Sequence, residues 1–211
     1  MYLYATTVRP GQASPMKVVD WALRMTEKIN QISEVPARLW TSAMSPGMGN
    51  LTWTSVVEDL SIVETTETKL AADAGYQLLI DEAAGLLSAT QAADQFLSEL
   101  VYSDPAAATI DAQYASTVQA RLAPGNFTQG VQLGVEIAQQ VGQITGQPNS
   151  FAVGVTGDYG AVMWVGLAET IEQLQAAGRA INGNADFARR IDTDASKAFT
   201  PGTQTISRRL A

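Results

Sequence analysis

The sequence contains no cysteine and no histidine. The first absence excludes disulfide stapling, thiolate metal sites and cysteine nucleophiles. The second excludes imidazole-ligated haem, the usual zinc centres and any catalytic triad that needs an imidazole base. Charge is sparse as well, at 16% of residues, and acidic groups outnumber basic ones 21 to 13 for a net charge of −8. An acidic surface of this kind repels nucleic acid and anionic lipid unless a basic patch overrides it. The adjacent basic pairs are only Arg189-Arg190 and Arg208-Arg209, so no nucleic-acid partner is expected. No stretch reaches the roughly 18 consecutive apolar residues of a membrane helix, and none is read as a membrane partner. The first residues, Met1 to Val8, lack the basic flank of a signal peptide, and the reading is a cytoplasmic protein.

What is present is enough apolar material for a core, 46% of 211 residues. The acidity is uneven. Residues 1–107 carry 6 basic and 13 acidic groups, and residues 108–211 carry 7 and 8. A solvated face explains this drift, while a cationic partner for the N-terminal half is the sharper alternative.

The chain also repeats itself at a spacing of about 111 residues. Arg9-Pro10-Gly11 matches Ala123-Pro124-Gly125, and Gln31-Ile32-Ser33 with Pro36 matches Gln143-Ile144-Thr145 with Pro148. Leu51-Thr52-Trp53 with Glu58 matches Val162-Met163-Trp164 with Glu169. Tyr76, Ile80 and Asp81 match Phe187, Ile191 and Asp192. The organisation expected is therefore an N-terminal repeat over 1–103, a linker over 104–111 and a C-terminal repeat over 112–211.

Each repeat reads strand, helix, strand, strand, helix, strand. In the first, 2–8 is a strand, and Ser14-Pro15 offers an N-cap with Pro at the first helical position. Val18, Trp21, Ala22, Met25, Ile29 and Ile32 then recur at helical spacing, which predicts a helix over 15–33. Strands follow at 37–44 and 51–57, helical stretches at 59–73 and 75–87, and a last strand at 95–102. The second repeat gives strands at 112–122, 150–156, 161–167 and 203–210, with helices at 127–144, 169–182 and 184–198.

This order is the ferredoxin-like arrangement, whose sheet has one face under helices and one bare. Two such sheets that cover each other's bare faces would bury both. In element order, in Trp53 and Trp164 at matching strands, and in the segments Tyr76–Asp81 and Phe187–Asp192, the chain resembles the dimeric α/β-barrel superfamily in its tandem-fused form. The resemblance implies an α+β fold of two βαββαβ repeats forming an intramolecular pseudo-dimeric barrel, as a monomer or a loose homodimer. The superfamily includes cofactor-independent monooxygenases, haem proteins, isomerases and cyclases; members that use a His ligand or base have no counterpart here.

Strand parity locates the candidate site residues. Leu39, Thr41 and Ala43 align with Phe151, Val153 and Val155, and this apolar set is assigned to the core shared between the sheets. The opposite set, Arg38, Trp40, Ser42 and Met44 against Ser150, Ala152, Gly154 and Thr156, is placed beneath the helices. Small residues in the second copy imply either a cavity there or a closer helix, which Gly130, Gly134 and Gly142 would allow. Arg38 is expected either to pair with Glu34 or Glu58 or to hold a ligand anion. Trp40, Trp53 and Tyr4 fill the core or wall an aromatic pocket.

The carboxylates show no metal-binding spacing, and no glycine loop for phosphate or dinucleotide is present, so neither a metal nor a cofactor is expected. The function that the resemblance to the superfamily implies is binding of a small apolar or aromatic molecule, in the manner of a cofactor-independent monooxygenase. The alternative is a ligand-binding or protein-interaction module without chemistry.

Overall fold

The computed structural model describes residues 1–89 and 93–211. The chain forms two compact units, Met1–Leu97 with Arg208–Ala211, and Ser98–Ser207.

In the first unit, β1 (Tyr2–Val8), β2 (Arg38–Ser42) and β3 (Leu51–Val57) make an antiparallel sheet in the order β1-β3-β2. Its helices are α1 (Pro15–Ile32), α2 (Leu60–Ala72) and α3 (Ala74–Ala83). Pro15 starts α1 as the sequence predicts, although the Ser14 side chain makes no capping bond. The apolar stripe of α1 packs Val18, Trp21, Ala22 and Met25 against Val8, Leu39, Leu51 and Trp53 of the sheet.

The second unit contains β5 (Tyr114–Arg121), α4 (Phe127–Thr145), β6 (Asn149–Gly154), β7 (Ala161–Ala168), α5 (Ile171–Asn182) and α6 (Ala185–Arg190). Helix α6 runs on through a π-helical turn, Ile191–Ala195, into Ser196–Ala198. The strand order is β8-β5-β7-β6-β4, where β4 is Asp94–Ser103 and β8 is Thr203–Arg209. The core here joins Ile137 and Ala138 of α4 to Phe151, Val162, Phe187 and Phe199.

The two units do not divide the chain at the repeat boundary. Ser98 to Ser103 of β4 pair with Gly154 to Ser150 of β6, so this part of the last strand of the first repeat belongs to the second unit. Likewise Leu39 N–H donates to Ala211 O at 2.8 Å and Leu210 N–H to Leu39 O at 2.8 Å, which ties the C-terminus to the first unit.

The repeats agree in detail. Bridges Pro10–Leu87 and Leu122–Phe199 close equivalent loops 112 residues apart. Asp73 accepts from Tyr76 N–H and Asn184 from Phe187 N–H, each at 2.8 Å. The aromatic in each matched segment is thus the third residue after a side-chain N-cap, which is why cap and aromatic keep their spacing.

Strand parity separates the two faces correctly, but the structure reverses their assignment. Leu39 lies opposite Trp53 in register, and Trp53 stands edge-on to Trp21 of α1 with ring centroids 5.8 Å apart. Leu39 and, in the second repeat, Phe151 therefore face the helices. Arg38 and Trp40 pair with Thr54 and Thr52 on the face turned away from α1. Both sets include large apolar residues, so alternation alone identifies the faces without saying which one the helices cover.

Candidate functional site

A cavity lies inside the second unit, between the helix-covered face of its sheet and α4, α5 and α6, and measures about 640 Å³. Cavities of about 300–1,000 Å³ are typical of small-molecule sites. Its floor comes from one parity of the sheet: Ser116, Val118 and Ala120 of β5, Trp164 and Gly166 of β7, and Asn149 of β6. Ile137 and Val141 of α4, Leu174 and Ile181 of α5, and Phe187 and Phe199 form apolar walls. The exposed residues Asp192, Ser196, Thr200, Pro201, Gly202 and Gln204 form the rim on one side.

Comparison of the repeats explains the space. Trp53 and Trp164 occupy equivalent places, opposite Thr6 and Val118 respectively. Two residues along, Tyr4 faces Ser55 in the first repeat, whereas Ser116 faces Gly166 in the second. A phenol ring and a hydroxymethyl group are thus replaced by a hydroxymethyl group and a hydrogen. The Tyr4 ring lies on the helix-covered face of the first sheet, with its hydroxyl donating to Glu67 Oε1 at 2.8 Å. In the second unit the corresponding floor is bare.

Glycines bring α4 close to the sheet beside the opening. A Cβ at Gly134 would lie 2.3 Å from Phe151 Cζ, and one at Gly130 would lie 2.4 Å from Leu122 Cδ2. The closer helix left open by the sequence is therefore realised, but the space beside it comes from Ser116 and Gly166 and not from Ser150, Ala152, Gly154 and Thr156, whose strand positions are of the opposite parity. The indoles register the same shift. Trp164 Nε1 donates directly to Gly134 O at 2.8 Å. Trp53 Nε1 donates instead to Thr26 Oγ1 at 2.8 Å, and that hydroxyl donates on to Ala22 O at 2.7 Å.

The far wall includes the π-helical turn, where Ile191, Asp192 and Ala195 border the cavity. π-Turns carry an extra residue per turn and are frequent at functional sites. The first repeat has the regular helix α3 at the matching place. Arg190, next to the π-turn, donates to Gln140 Oε1 at 3.0 Å and pairs with Glu136, which fastens α6 to α4.

Apart from those at the rim, the polar side chains lining the cavity are Ser116, Thr145, Gln147 and Asn149. Ser116 Oγ accepts from Gln204 Nε2 at 2.9 Å. Asn149, only 6% exposed, donates from Nδ2 to Gln147 O at 3.1 Å. Asp192 is the one titratable side chain among the lining residues, and it is exposed. Neither Tyr, Met, Lys nor Arg lines the cavity among the described residues. With no His or Cys in the chain, the usual axial donors to a haem iron are absent from this cavity, so its residues do not fit haem ligation.

The structure does not bring the four residues singled out from the sequence together. Trp53 and Tyr4 lie on the helix-covered face of the first sheet, and Arg38 and Trp40 on the other face. Trp53 and Trp40 are both buried, and Trp40 Nε1 donates to Thr54 Oγ1 at 2.9 Å. Burial, and next the bond to Glu67, push the Tyr4 hydroxyl up to about 12. Arg38 is half-buried, and Glu34 pairs with Lys69 at 3.0 Å instead of with it. No ion pair engages Arg38 among the described residues. The residues bordering the cavity, Ser116, Asn149 and Gly166 among them, do not stand out by type. The excess of glycine in the second half, twelve against five, is the sequence signal that points toward them.

No protein-family model and no curated protein matches the sequence. Solved structures do match. One is named as a candidate monooxygenase from Fusobacterium nucleatum subsp. nucleatum ATCC 25586; it is 6% identical, with 100% of this chain and 92% of that chain covered at a TM-score of 0.72. An anthrone oxidase-like protein is 8% identical, with 100% and 91% covered at a TM-score of 0.68. A second candidate monooxygenase, from Lactobacillus acidophilus NCFM, is 6% identical, with 99% and 93% covered at a TM-score of 0.65. At such identities the likeness shows fold: two ferredoxin-like repeats in tandem, the dimeric α/β-barrel fold. Among the described residues, no helix is long and apolar enough to cross a membrane.

Proposed function

We propose that the second unit binds a small, largely apolar ring compound, and that the protein acts on it as a monooxygenase-like enzyme. The observation that carries this reading is the cavity of about 640 Å³ with apolar walls, open in the second repeat where Ser116 and Gly166 replace Tyr4 and Ser55 of the first. An apolar enclosure with a few fixed polar groups is the usual form of a small-molecule site. The names carried by the structural neighbours, two candidate monooxygenases and an anthrone oxidase-like protein, supply the reaction class.

In such a reaction an activated ring carbon supplies the electrons. A CH₂ group becomes C=O with one atom of O₂, and the other atom leaves as water with the two hydrogens. The protein's share is to hold the ring, exclude water and place polar groups at its edge. A non-catalytic binding module is the second reading. It is favoured by one observation, that among the described residues Asp192 at the exposed rim is the only titratable side chain on the cavity.

The test is oxygen uptake and binding measured with anthrone, in the wild type and in Ser116→Tyr, which restores the residue of the first repeat. Binding and uptake in the wild type, both lost in Ser116→Tyr while the fold persists, support the enzyme reading. Binding without uptake supports the second reading. Binding unaffected by Ser116→Tyr overturns the assignment to this cavity.

A further inference from the structure

We infer that Asn149 is the specificity-determining group of this cavity, selecting ring compounds that carry a hydroxyl at one edge over the same ring without it. The inference rests on the cavity being a ligand site. Its own support is the state of one buried carboxamide.

Asn149, Gly166 and Ser116 form one row across β6, β7 and β5, because Gly166 lies opposite Asn149 on one side and Ser116 on the other. Gly166 supplies no side chain, so the middle of the row is flat. A Cβ there would lie 3.1 Å from Asn149 Oδ1, and its absence leaves the carboxamide uncovered. Asn149 borders the cavity although it is only 6% exposed. Its orientation is fixed by the bond from Nδ2 to Gln147 O at 3.1 Å, since a carbonyl can only accept. That bond uses one amide proton. No donor among the described residues engages Oδ1. One amide proton and the Oδ1 lone pairs therefore serve a ligand.

A hydroxyl group matches this pair of functions, donating to Oδ1 and accepting from Nδ2–H. A ring without oxygen leaves the carboxamide unsatisfied once water has been displaced, which is the penalty by which a polar site rejects an apolar analogue. A carboxylate is a poorer match, because among the described residues no Lys or Arg lines the cavity to replace its lost water. At the matching place in the first repeat stands Ala37, two residues before Leu39 as Asn149 is two before Phe151, so the carboxamide belongs to the open copy alone.

The experiment compares 1-naphthol with naphthalene by fluorescence titration of the intact protein. The wild type is expected to prefer 1-naphthol by about tenfold, the worth of one net hydrogen bond. In Asn149→Leu the preference should fall to near parity. Gly166→Ala, which keeps Asn149 but covers its Oδ1, should reduce the preference as well, and it serves if Asn149→Leu fails to fold. A preference unchanged in these variants overturns the role of Asn149 and leaves the cavity standing. Failure of the wild type to bind either compound overturns the cavity reading, and the inference with it.

Discussion

Phe151 lies over Gly134 so closely that a methyl group at 134 would fall 2.3 Å from the ring's Cζ. The first repeat solves the same packing problem with Ala22 and Leu39, both fully buried. A larger residue on the strand is thus matched by a smaller one on the helix, as close packing demands. Gly134→Ala should cost about 1–3 kcal/mol through overpacking. Gly134→Ala combined with Phe151→Leu reproduces the first repeat's pair and should be more stable than the sum of the single changes. Urea denaturation of the four proteins checks this, and additive effects would show that the two positions are uncoupled.

The two indole bonds make a second contrast. Trp53 reaches α1 through Thr26, whereas Trp164 reaches α4 directly. Thr26→Val keeps the shape but leaves the buried Trp53 N–H without its acceptor, at a cost of about 1–3 kcal/mol. Denaturation measures the loss. The environment of Trp164 should be unchanged.

Alkaline pH supplies a third prediction. Burial and the bond to Glu67 push the Tyr4 hydroxyl up to about 12, from the ordinary tyrosine value of 10.0. The folded state therefore keeps a proton that the unfolded state releases first. The resulting stability is complete below pH 10 and lost as pH rises through about 12. Tyr4→Phe should flatten part of this alkaline decline. Denaturation across that range tests it, and an unchanged slope would contradict the assignment.

The fold was legible because its signals are local and occur twice. Helical spacing from Val18 to Ile32, the turn at Pro10-Gly11 and the paired Trp residues all describe one repeat and then the other. The direction of the sheet faces was not legible, since Trp40 and Leu39 are both large, apolar and buried. Nor was the trade of final segments between the compact units, because a strand's sequence does not name its partner.

The cavity was legible only as an excess of small residues. Asn149 and Ser116 are common residue types, and what singles them out is their alignment across Gly166. That alignment is a property of strand register. It becomes visible in sequence only after Trp164 is matched to Trp53 and Ser116 to Tyr4.

Four tryptophans offer a direct reading of where a ligand sits. Trp164 borders the cavity, while Trp21, Trp40 and Trp53 belong to the first unit. The measurement is the fluorine NMR spectrum of protein labelled with 5-fluorotryptophan during titration with 1-naphthol, with the Trp164 signal assigned through Trp164→Phe. If the second repeat carries the site, the Trp164 resonance shifts and the other three stay in place. Movement of the Trp40 or Trp53 signals with Trp164 unmoved would contradict it.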